Sequence, residues 1–159
     1  MHTLILLRHG KSDWSTSASD HERPLNKRGK KDVPVMAERL KNRSYKPDMM
    51  VSSSALRARL TAEVFENTLE CDCIVNDALY EANRSRIIDI IRDMNEEIED
   101  LMLIGHNPTW EILTEHLTGE GVSMPTCSMV QIAFDCCWKD VGEAGGKIIY
   151  FDYPKKTDN

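Results

Sequence analysis

Thr3-Leu4-Ile5-Leu6-Leu7-Arg8-His9-Gly10-Lys11-Ser12 is the stretch on which the fold turns. Leu4 to Leu7 are four consecutive apolar residues, which a half-exposed strand would interrupt with polar positions. They predict a short strand buried on both faces. Ligands of open α/β sheets bind beyond the carboxyl ends of the strands, so Arg8, His9 and Ser12 arrive where chemistry is done. Gly10 is expected to let backbone approach a ligand closely. Taken alone, Arg8-His9-Gly10 reads equally well as a surface loop after a first strand. The rest of the chain decides.

Downstream, Asp13 to Arg23 is polar, without period, and reads as a long loop. Asn26 then caps a helix whose apolar stripe is Val33, Met36, Ala37 and Leu40. Pro34 removes a backbone hydrogen bond there, so a kink or a later helix start is expected. Asp48-Met-Met-Val-Ser-Ser is a second strand, followed by a helix from about Ala55 to Thr68 with Ala58, Ala62, Phe65 and Leu69 inside. Arg57 falls in its first turn, where a cation opposes the helix dipole unless an anion sits nearby. The plainer reading is an exposed Arg with a carboxylate partner. Cys73-Ile-Val is a weak strand; Leu79-Tyr80-Glu81 leads into a third helix with Ile87, Ile88, Ile91 and Met94 buried. Leu101 to Ile104 repeats the opening pattern, running into Gly105-His106-Asn107-Pro108, with Asn107 expected to cap a helix that has Pro108 at its first position and ends at Gly119. Met129–Phe134 and Lys147–Phe151 read as a closing hairpin.

Alternating strands and helices predict an α/β fold, a mostly parallel sheet between helices, with at least one antiparallel strand from the hairpin. One domain is expected over residues 1–154, with a fraying polar tail at 155–159. Five cysteines, an odd number, and no basic leader before the first strand point to reduced thiols and a cytoplasmic location. Cys71-Asp-Cys73 and Cys136-Cys137 lack the spacing of zinc ligands, and no metal or cofactor is expected. The net charge of −6 disfavours nucleic acid, and no apolar run is long enough to cross a bilayer. Oligomeric state is not legible. Arg8, Lys11, Arg23, Lys27, Arg28, Lys30 and Lys31 nevertheless crowd the first fifth of the chain, which suits an anionic ligand.

The topology brings Arg8, His9, Arg57 and His106 to one sheet edge. Two guanidiniums offer donor forks for phosphate oxygens; a neutral His can attack phosphorus, and a protonated one can hold charge developing on the oxygens. Arginine and histidine then do the neutralising that Mg²⁺ does elsewhere.

Arg8-His-Gly-Lys-Ser, Asp20-His-Glu-Arg23-Pro-Leu-Asn-Lys-Arg-Gly29, Ser54-Ala-Leu-Arg57-Ala and Gly105-His-Asn-Pro108 resemble the histidine phosphatase superfamily, also called phosphoglycerate-mutase-like, and within it the small SixA-type phosphohistidine phosphatases. The resemblance implies a three-layer α/β/α fold and a metal-independent phosphatase with His9 as the nucleophile that becomes phosphohistidine. It implies a phosphate pocket of Arg8, Arg57 and His106, with Ser12 at a position that can contact phosphate. Asn107 stands where larger acid phosphatases of the superfamily carry an acid, and Glu81 resembles the acid of the mutase branch, though a solvated loop carboxylate reads as well. The expected substrate is phosphohistidine in a protein. Small phosphate esters or phosphosugars are the alternative, and a non-catalytic phosphate-binding adaptor is a reading of another class.

Overall fold

The computed structural model describes residues 1–156. Ten regular elements alternate: β1 (His2–Arg8), α1 (Lys27–Asn42), β2 (Met49–Ser52), α2 (Leu56–Leu69), β3 (Cys73–Val75), α3 (Arg84–Arg92), β4 (Asp100–Gly105), α4 (Thr109–Thr118), β5 (Met129–Phe134) and β6 (Gly146–Asp152). The strands form one sheet in the order β3-β2-β4-β1-β5-β6. β1 to β4 are mutually parallel, and β5 runs antiparallel to both β1 and β6. The expected closing hairpin is therefore present.

Successive side chains of a strand point to opposite faces, and β1 shows how this builds three layers. Leu4 and Leu6 join Trp110, Leu113 and Leu117 of α4 and the Ile residues of α3 in one core cluster. Ile5 and Leu7 join Val33, Met36 and Leu40 of α1 and Ala58, Ala62 and Phe65 of α2 in the other. All four β1 residues are fully buried, each contributing about 1.5–3 kcal/mol. That is enough to offset about 1–3 kcal/mol for desolvating a polar ring such as His9 at the strand end.

Helix α1 begins where the sequence places it: the Asn26 side chain accepts from Gly29 N–H, and Pro34 lies inside the helix rather than delaying its start. Pro34 is exposed, so its ring and the carbonyl it leaves unpaired face water. The expected cap of α4 is a correction. Pro108, not Asn107, holds the capping position, and no side chain caps the helix. The Asn107 amide is used elsewhere, donating to the Met124 carbonyl at 2.9 Å. Helix α4 does stop at Gly119, in the left-handed conformation.

At the carboxyl edge the chain leaves β1 and β2 for the α1/α2 layer but leaves β4 for the α3/α4 layer. β4 lies between β1 and β2, so a crevice opens over its end, at a topological switch point. The expected tail falls partly outside the described residues, at 157–159. Within them, Lys156 is tied back to the Phe151 carbonyl, and Arg39 to the carbonyls of Tyr153 and Pro154.

Candidate active site

Three residues stand one position beyond the ends of the three strands around the crevice: His9 after β1, Ser53 after β2 and His106 after β4. The sheet register continues through them, with His9 N–H and Ser53 N–H donating to the carbonyls of Gly105 and Ile104. The rings of His9 and His106 lie 5.1 Å apart, centroid to centroid.

His9 Nδ1 lies 2.7 Å from the Gly10 carbonyl. A carbonyl only accepts, so Nδ1 carries the proton and Nε2 keeps its lone pair. Burial lowers the His9 pKa to about 3, opposed by the Gly10 carbonyl and helped by the Arg57 and Arg8 charges and, where both rings would protonate, by His106. The ring is thus neutral around pH 7 and able to attack. Gly10 has a different reason from the expected one: a Cβ there would come within 2.5 Å of Val33 Cγ2, so its smallness lets β1 pass beneath α1. Its N–H donates to Thr61 Oγ1, which in turn donates to the Arg57 carbonyl.

His106 Nε2 lies 2.7 Å from Ser53 Oγ. Ser53 Oγ already accepts from Ala55 N–H, and the fully buried hydroxyl needs an acceptor, so it donates to Nε2 and the ring's proton is on Nδ1. Burial, followed by the Arg57 charge, lowers the His106 pKa to about 4. The free ring is therefore neutral. Its Nδ1–H, Arg8 Nε–H and Arg57 Nε–H are buried with no hydrogen-bond partner among the described residues. Buried donors are normally satisfied, so three unpaired ones on residues neighbouring His9 are donors suited to an oxyanion.

Arg57 is buried, not exposed, and it does have a carboxylate partner. It donates through Nη1 to the Asp20 carbonyl at 2.7 Å and through Nη2 to Asp20 Oδ2 at 3.3 Å. Tyr80 donates its hydroxyl to the same Oδ2 at 2.6 Å, and that bond comes first among the causes holding the Asp20 pKa down at about 2. Tyr80 and His106 meet edge to face. A cleft of about 340 Å³ lies between these groups, lined by Asp20, Arg57, Tyr80, Glu81, His106 and Asn107 among others. Glu81 is exposed at its rim. Arg8 donates to the Met124 carbonyl and lines a neighbouring cleft of about 700 Å³ with Glu111 and Val122. Ser12 is buried and accepts from Arg23 Nη1; it does not line the first cleft.

The sequence reading missed Ser53, Asp20 and Tyr80 as parts of this arrangement. Ser53 had part of a signal, its place among three serines at a strand end like those before the two histidines. Asp20 opens one of the motifs quoted above, but its contact with Tyr80, 60 residues away, had no signal, because only the folded loop brings the two together.

The family model described as the histidine phosphatase superfamily (branch 1) matches residues 4–100, more than half of the chain. The chain belongs to the histidine phosphatase superfamily. Among solved structures, one from Agrobacterium tumefaciens named for the phosphohistidine phosphatase SixA is 27% identical. It has a TM-score of 0.83, with 96% of this chain and 98% of that one covered. Mycobacterial glucosyl-3-phosphoglycerate phosphatase shares the fold, with a TM-score of 0.69, 16% identity and coverage of 93% and 97%. An uncharacterized chloroplastic protein of Arabidopsis thaliana is 29% identical over 156 residues, covering 90% of this chain and 72% of its own. No helix among the described residues is long and apolar enough to cross a membrane.

Proposed function

We propose that this superfamily member is a metal-independent phosphatase acting through phospho-His9 on phosphohistidine in a protein. Phosphatase activity as such is supported by the family and by the solved neighbours. The observation that carries the mechanism is the pair of ring contacts, His9 Nδ1 on the Gly10 carbonyl and His106 Nε2 on Ser53 Oγ, which assign His9 a free Nε2 lone pair and His106 a free Nδ1–H.

In the first half-reaction Nε2 of His9 forms the N–P bond while the P–N bond of the substrate breaks. The substrate imidazole, protonated on its other nitrogen beforehand, leaves neutral. Arg8 Nε–H, Arg57 Nε–H and His106 Nδ1–H stabilise the charge on the equatorial oxygens. The Gly10 carbonyl stabilises the positive ring of phospho-His9 through Nδ1–H. Water then attacks phosphorus; both its protons leave with the phosphate as dihydrogen phosphate, and His9 departs neutral. The arginine charges supply the neutralisation, so activity survives exhaustive chelation.

An alkyl phosphate makes a different demand, because its alkoxide needs a proton from an enzyme acid, worth about 10²–10⁴-fold. Asn107 cannot give one, and its amide is committed to Met124. Glu81 on the cleft rim is the candidate, and this position favours the second reading, a phosphatase of small esters. The experiment is kcat/KM for a phosphohistidine protein and an alkyl phosphate in wild type and Glu81→Gln. Loss confined to the alkyl phosphate, with faster wild-type turnover of the protein, is the expected result. An equal large loss on both makes Glu81 a general participant and removes the argument for phosphohistidine.

A further inference from the structure

Trp14 is 77% exposed, and apart from the terminal Met1 no other large apolar side chain of the described residues exceeds 52%. It is nevertheless held in place. Its ring lies over the guanidinium of Arg23, 3.5 Å from Cζ to the ring centroid. Arg23 is buried and uses all three nitrogens in its own plane, Nη1 on Ser12 Oγ and both Nε and Nη2 on Asp20 Oδ1, leaving its flat face to the indole. The other Asp20 oxygen meets Arg57. Contacts therefore run without a gap from the exposed indole to the phosphate pocket.

Around Trp14 the backbone doubles back: Asp13 N–H donates to the Pro24 carbonyl and Asn26 N–H to the Lys11 carbonyl. This pairing sets Lys11 beside the start of α1, where Lys27 follows Asn26. Both lysines are exposed and, among the described residues, neither forms an ion pair. Arg28 is paired with Asp32, and Lys30 acts on Asp13. In a chain of net charge −6 this is a local positive strip with an aromatic end.

We propose that Trp14, Lys11 and Lys27 form the docking surface for the protein substrate, an acidic protein with an apolar side chain beside its phosphohistidine. The inference rests on the phosphohistidine reading above. A small ester in the pocket has nothing to reach Trp14, whereas a protein that presents a phosphoryl group to His9 lays its flanking surface over this strip. A preorganised, exposed aromatic is the residue type that dominates interface energies, and unpaired lysines beside it steer an acidic partner.

The test measures kcat and KM for wild type, Trp14→Ala and Lys27→Glu on two substrates. One is free phosphohistidine; the other is an acidic helical protein with a single histidine phosphorylated by phosphoramidate. A glutamate at 27 suits the first turn of a helix, so that variant keeps its fold. KM for the protein is expected to rise about tenfold in Trp14→Ala and about threefold in Lys27→Glu, with kcat on both substrates and KM for free phosphohistidine unchanged. An unchanged KM for the protein in both variants overturns the docking surface and leaves the proposed function standing. An equal fall in kcat on both substrates in Trp14→Ala overturns it too, making Trp14 a support for Arg23. A wild-type enzyme that hydrolyses alkyl phosphates but not the phosphoprotein overturns the proposed function, and the docking surface with it.

Discussion

The ends of β1 and β4 are built from the same local grammar, an apolar strand running into a histidine flanked by glycine, yet they present opposite ring nitrogens. His9 spends Nδ1 on the carbonyl of its own neighbour Gly10, leaving Nε2 to attack. His106 spends Nε2 on Ser53 from the adjacent strand, leaving Nδ1–H to donate. Their glycines differ as well. Gly10 makes room for Val33 of α1, and Gly105 for the Trp110 indole of α4, so each histidine is backed by a different layer. A residue type and its place in the fold therefore do not assign a role; which nitrogen the surroundings consume does.

Breaking the first half of this pair has the largest expected effect. His9→Ala removes the proposed nucleophile and should lower kcat/KM by about 10⁴-fold or more, with far-UV circular dichroism unchanged. His106→Ala removes one donor to the developing charge and should cost about 10²–10³-fold in kcat. Ser53→Ala leaves both rings in place but frees His106 to carry its proton on Nε2. It should cost about tenfold in kcat, and long-range ¹H–¹⁵N spectra of the free protein should show His106 losing its single tautomer. The glycines separate the two layers. Gly105→Ala drives a Cβ to within 2.6 Å of an indole whose Nε1–H is anchored on the Leu7 carbonyl, and Gly10→Ala drives one to within 2.5 Å of a methyl of fully buried Val33, whose β-branched side chain has little rotamer freedom in a helix. Urea denaturation should show a loss of about 1–3 kcal/mol for either substitution.

Much of this was legible beforehand because the core elements carry uninterrupted signals. Leu4–Leu7 and Leu101–Ile104, short apolar runs each ending in a polar turn, are strands covered on both faces as expected, and the stripes of α1 and α2 are buried as their spacing predicts. The positions of His9, Arg57 and His106 follow from element order alone. Failures occurred where a side chain has two possible employers. Asn107 precedes a helix and has a capping side chain, but the segment around Met124 claims its amide first. Among Ser52, Ser53 and Ser54, composition cannot say which hydroxyl faces the crevice; register can, and register belongs to the assembled sheet. Which of the two histidines is charged is not legible in the sequence for a similar reason, since for His106 burial and Arg57, both tertiary facts, set it.

A last expected effect concerns pH. Both histidines have folded pKa values, about 3 and about 4, below the unfolded value of about 6.5. The unfolded chain therefore binds more protons below pH 6.5. The stability these neutral rings allow is fully present above that pH and is lost as pH falls toward the folded values. Tm should fall from pH 7 to pH 5, and less steeply in His9→Asn than in wild type.

The most direct test of the central claim, that His9 Nε2 becomes covalently phosphorylated, is rapid alkaline quench during turnover followed by mapping of the phosphate. The account predicts a phosphoryl group on Nε2 of His9, stable in alkali and lost in acid, formed and consumed at rates that account for kcat. Turnover without any phosphoenzyme, or an acid-stable phosphate on another residue, would contradict it.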